Sequence, residues 1–79
     1  MRTYEFTIVT ADIDEGLIDA LAGRCPDSGV GTCEGTTFVD FDREARSLGE
    51  AIDSAVADLE TLGIAPIRVM IDMPQPIAQ

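Results

Sequence analysis

Hydrophobic and polar residues alternate from Tyr4 to Val9, with Tyr4, Phe6 and Ile8 on one side and Glu5, Thr7 and Val9 on the other. That two-residue period predicts a strand with one buried face. The period then lengthens. Ile13, Leu17 and Leu21, with Ala20, recur at helical spacing behind Asp12 or Asp14 as N-cap, and Asp12 with Glu15 has the spacing of a capping box in which Asp replaces Ser or Thr. Gly23 and Pro26 close this helix, which covers about Glu15 to Arg24. The glycine-bearing stretch that follows admits only a short strand, Gly29 to Cys33, and Glu34-Gly35-Thr36 reads as a hairpin turn.

The run Thr37 to Glu44 returns to the strand period, with Thr37, Val39 and Phe41 on one face and Phe38, Asp40 and Asp42 on the other. Ser47 with Glu50 forms a Ser-x-x-Glu capping box. Leu48, Ile52, Ala55, Leu59 and Leu62 then trace an apolar stripe that Gly63 ends. From Pro66 to Met73, Ile67, Val69 and Ile71 alternate with Arg68, Met70 and Asp72 as a fourth strand, and Pro74 and Pro76 oppose any further pairing.

The order βαββαβ in a chain of 79 residues is that of an α+β, ferredoxin-like two-layer sandwich. Two right-handed crossovers would place both helices on one face of a four-stranded antiparallel sheet. Residues 1–73 are expected to form this single domain and 74–79 a flexible C-terminal tail. The other sheet face would be open, carrying Glu5, Thr7, Val9, Phe38, Asp40, Asp42, Arg68, Met70 and Asp72. Its apolar members, Val9, Phe38 and Met70, mark it as an interaction face, because exposed apolar clusters tend to be interfaces.

Charge narrows the choice of partner. There are fifteen acidic residues against five arginines, with no lysine or histidine, for a formal charge of −10. Phosphate neutralisation needs clustered cations, so direct nucleic-acid binding by this chain is not expected. A basic protein partner, or a second copy in a homodimer, is. The missing residue types remove an imidazole base and a Schiff-base amine, and the expected function is non-enzymatic.

The remaining candidate groups offer little chemistry. Asp40 and Asp42, with Asp72 near them, present oxygen ligands, but the chain has no calcium-loop spacing and no metal or cofactor is expected. Cys25 and Cys33, without histidine, fall short of a four-ligand zinc site. Gly29-Val30-Gly31 lacks the lysine of a phosphate loop. No apolar run is long enough for a signal peptide or a membrane span, which makes the cytoplasm the expected location and reduced thiols the expected state of both cysteines.

Two resemblances bear on function. The stretch Val39-Asp40-Phe41-Asp42-Arg43-Glu44-Ala45, followed by Ser47-Leu48-x-Glu50-Ala51-Ile52, resembles small uncharacterised bacterial proteins in which a ferredoxin-like module often precedes a helix-turn-helix, sometimes with toxin–antitoxin associations. That likeness implies a regulatory or antitoxin-like component, and a DNA-reading half, if one exists, is missing from these residues. The loop Asp12-x-x-x-Gly16-Leu17 after a strand resembles the first loop of ACT domains, although it is longer and has no proline. It implies an amino-acid sensing site at Asp12, Gly16 and Leu17 in a dimer interface.

Overall fold

The computed structural model describes residues 1–71, and Asp72 and Met73 of the expected fourth strand and the expected tail lie outside them. The elements run β1 (Arg2–Thr10), α1 (Glu15–Arg24), β2 (Ser28–Cys33), β3 (Thr36–Ala45), α2 (Leu48–Thr61) and β4 (Pro66–Met70). The sheet order is β2-β3-β1-β4, with every neighbouring pair antiparallel. Both helices cover one face, so the chain is a ferredoxin-like α+β sandwich with an open sheet.

The core follows the sequence periods. Phe6 and Ile8 of β1 and Thr37, Val39 and Phe41 of β3 point into the helix layer and are buried. The rings of Phe6 and Phe41 stack with centroids 5.4 Å apart, a geometry that adds to the stabilisation from burial alone. Leu21 of α1 and Ala51, Ala55 and Leu59 of α2 close the layer from above. The small side chains of Ala51 and Ala55 bring α2 close to the sheet, and the central stripe runs through them. Leu48, Ile52 and Leu62, expected on the stripe, flank it half-buried, and Ala20 of α1, expected on the α1 stripe, is exposed.

Local capping fixes the helix ends. Asp14 is the N-cap of α1, its carboxylate accepting the Leu17 N–H at 2.8 Å, which leaves Asp12 free of that role. Ser47 caps α2 by accepting from the Glu50 N–H at 3.1 Å. At the other end Gly63, with φ 80°, permits the Ile64 N–H to reach Leu59 O and the Gly63 N–H to reach Glu60 O. This double bond pattern satisfies orphan carbonyls and delivers Ile64 into the core beside Leu59. The β2–β3 hairpin turns on Glu34 and Gly35, both at positive φ, as a two-residue turn requires.

One expectation fails at β4. Alternation placed Ile67 against the helices, yet it is 66% exposed. Thr10 pairs with Pro66 and the adjacent Val9 pairs with Arg68, so Ile67 is an extra residue in a bulge. Ile71, also expected inward, lies past the strand's end at Met70 and is 43% exposed, so only Val69 of the expected inward set packs on the core.

Candidate functional site

Pair registers define the open face row by row. Gly31, Phe38, Val9 and Arg68 lie side by side across β2, β3, β1 and β4, and Gly29, Asp40, Thr7 and Met70 form the next row. Beyond them Asp42 sits opposite Glu5. The structure therefore brings together Val9, Phe38, Asp40 and Met70, as the alternation requires, but they are unequal. Val9 is only 7% exposed and offers no contact surface. Phe38 is half-buried because its ring lies over Gly31, where an added Cβ would come within 2.7 Å of the ring. An aromatic side chain covering a cross-strand glycine protects the sheet at that point. Met70, at 49%, is the accessible apolar member.

The other end of the face is acidic and hollow. Glu5, Phe6, Thr7, Asp40, Phe41 and Asp42 line a shallow depression of about 340 Å³. Its floor is the backbone of the two central strands, and Gly29, opposite Asp40, leaves its β2 side without a side-chain wall. The Thr7 hydroxyl donates to the Asp40 carboxylate. Asp42 and Glu5, directly opposed across the strands, are like charges at a distance where each destabilises the other. Among the described residues none of these three carboxylates forms a salt bridge. Nor, among those residues, do His, Cys, Asp or Glu side chains group as a metal site requires.

Acids on the helix side are used differently. Arg43, next after Thr37, Val39 and Phe41 on the inward face of β3, is only 12% exposed at its side chain. Its guanidinium binds Asp27 of the α1–β2 loop through two bonds, Nε to Oδ2 at 2.9 Å and Nη2 to Oδ1 at 3.1 Å. Nη1 reaches Asp58 of α2 at 2.8 Å and the Ser54 hydroxyl at 3.2 Å. Arg24 of α1 adds a bond to Asp58 at 3.2 Å. The guanidinium also lies 5.0 Å from the centroid of Phe41. Asp27, bonding the Asp42 N–H through its carbonyl as well, ties the loop to β3.

This clamp was not anticipated from the sequence, although Arg43 interrupts an otherwise apolar inward series. It sets the titration of its members. The bidentate bond to Asp27 raises Arg43 above its ordinary value. Burial pushes Asp58 up, but bonds from Arg43 and Cys25 and the guanidinium charge outweigh it, and its carboxyl is held below the usual range. Cys25, fully buried, donates its S–H to Asp58 at 3.4 Å, and burial raises its thiol. That is the reverse of what a nucleophilic cysteine needs. Cys33 is free and exposed.

The loop proposed for amino-acid binding is largely spent on structure. Leu17 is half-buried against the core and receives the cap from Asp14, while Asp12 and Gly16 are exposed. Fold and surface thus define an acidic ferredoxin-like domain with one sheet face uncovered among the described residues. No protein-family model, curated protein or solved structure matches the chain.

Proposed function

We infer that this protein is a non-enzymatic interaction module whose open sheet face docks a basic segment of another protein. The observation that carries the reading is the contrast in pairing: Asp27 and Asp58 are neutralised by arginines, whereas Glu5, Asp40 and Asp42 line a hollow and form no salt bridge among the described residues. An arginine or lysine entering there gains up to three carboxylates and relieves the opposed pair Glu5 and Asp42. Met70, directly opposite the hollow-lining Thr7 and on the same row as Asp40, offers an apolar contact to the same partner. Face-to-face stacking of two copies would instead bring acids against acids, which costs specificity and affinity.

A regulatory role beside a DNA-binding or toxin component remains part of the proposal, supported by the likeness over Val39 to Ile52. Docking at the face leaves the fold intact, as a regulatory module requires, because the arginine clamp lies on the other side of the sheet.

A capped hexapeptide of alternating arginine and leucine tests the reading by calorimetry. It should bind wild-type protein, weaken as salt screens the charges, and lose at least about tenfold in affinity with Asp40→Asn and Asp42→Asn together. Gly29→Arg should weaken it comparably, since a side chain there enters open space beside Asp40 and supplies a competing cation. Equal binding by wild type and these variants contradicts the reading.

A further inference from the structure

Among the described residues the large hydrophobic side chains that remain exposed are Met1, Ile67, Met70 and Ile71, and all but Met1 belong to β4 or its next residue. β4 is an edge strand, paired only with β1 among the described strands. The opposite edge, β2, carries Gly29, Gly31, Thr32 and Cys33 and exposes no large apolar side chain. An edge strand presents unpaired backbone donors and acceptors, and proteins usually blunt it with charge, proline or a bulge. Here Pro66 blunts only its beginning, and the bulge leaves Ile67 unpaired with β1 and exposed. Among the described residues the stretch from Ile67 to Ile71 keeps both an unpaired edge and exposed apolar side chains.

We propose that this edge pairs with β4 of a second copy, antiparallel about a two-fold axis at Val69, to make a continuous eight-stranded sheet. The sequence Ile67-Arg68-Val69-Met70-Ile71 is self-complementary about that axis. Ile67 of each copy, at the bulge, falls opposite Ile71 of the other, just past its strand, so an exposed isoleucine pair closes each end of the seam. Met70 of each falls opposite Arg68 of the other, on the open side, where the aliphatic stem of arginine covers the methionine. An isologous contact of this kind satisfies both edges at once and closes the assembly. Because the pairable stretch is so short, a register shift would set isoleucine against arginine and lose the match.

Charge at the seam permits this occupant, since β4 carries no acidic residue. Arg68 is the cation on the open face of β4, and the pairing places it at the end of the other copy's Asp40–Thr7–Met70 row. Both acidic hollows then lie on one side of a single wide sheet, which remains free for a basic partner. The dimer does not depend on that partner.

Sedimentation equilibrium over a hundredfold range of concentration, on the full chain, is the test. Wild type should dimerise. Ile67→Glu with Ile71→Glu, which opposes like charges at both ends of the seam, should raise the dimer dissociation constant at least about tenfold with unchanged circular dichroism. Ile67→Lys with Ile71→Glu should recover dimerisation, because the proposed register makes two lysine–glutamate pairs. A wild-type monomer throughout the range overturns the proposal. So does a dimer in which both double variants behave alike, or one abolished by Phe38→Glu on the open face and untouched at β4. Hexapeptide binding measured on wild type and the β4 variants should persist when the dimer is lost, and its absence from all of them would count against the docking face and not the dimer, so the two failures are told apart.

Discussion

The two sides of β3 carry the same chemical group in opposite circumstances. On the helix side, Arg43 sits between Asp27 and Asp58, tying the α1–β2 loop, the sheet and α2 together through short, partly desolvated bonds. On the open side, one residue earlier in the strand, Asp42 faces Glu5 across β1 with no cation among the described salt bridges. Acids in the first group hold the fold, because each removal strands a charge that cannot be rehydrated freely. Those in the second group contribute nothing to holding it and oppose one another. A small domain that keeps mutually repelling carboxylates on a flat uncovered surface has that surface available for a partner of opposite charge.

The largest expected effect comes from removing the clamp's centre. Arg43→Met strips Asp27 of its cation and leaves Asp58 only the more exposed Arg24, and should lower unfolding free energy by about 3 kcal/mol in urea titrations. Asp58→Asn keeps the bidentate Arg43–Asp27 bond and should cost less, about 1.5 kcal/mol at neutral pH after allowance for its partial exposure.

Acid titration sharpens the second result. The Asp58 carboxyl is depressed below its unfolded value of 3.8, so its contribution is fully present above that pH and is lost as pH falls through the folded value. Asp58→Asn should therefore remove part of the decline in wild-type stability below about pH 4, read as thermal midpoints across the acid range. A variant whose acid decline matched wild type would detach Asp58 from the clamp.

At the open face the sign should reverse. Asp42→Asn relieves the opposed pair with Glu5 and should raise stability by roughly 0.2–1 kcal/mol. The same gain should fade in high salt, where surface repulsion is screened. Destabilisation by Asp42→Asn would mean that this carboxylate is held by the fold after all, and the contrast between the two sides would collapse.

The element order was readable because β1, α1, β3 and α2 each carry one clean period and a cap or stop that agrees with it. Ser47, Glu50 and Gly63 mark the ends of α2 with local chemistry alone, and the structure places them as that chemistry requires. Ile67 was misplaced because a bulge leaves no trace in an alternating pattern. Its cause is the register between β1 and β4, set by pairing far along the chain. The rows of the open face were legible from strand alternation, but the burial of Val9 and the lean of Phe38 over Gly31 were not, since both depend on which residue the neighbouring strand supplies. The clamp was half-legible. An arginine in an inward series announces a buried charge, whereas its partners Asp27 and Asp58 are chosen by tertiary packing from fifteen acids.

The most direct test of the account is residue-resolved amide NMR during titration with the alternating arginine–leucine hexapeptide. The account predicts perturbations concentrated on Glu5, Thr7, Asp40, Asp42 and Met70, with the acids of α1 and α2 unmoved at matched salt. Perturbations spread evenly over the helix acids, or centred on them, would contradict it.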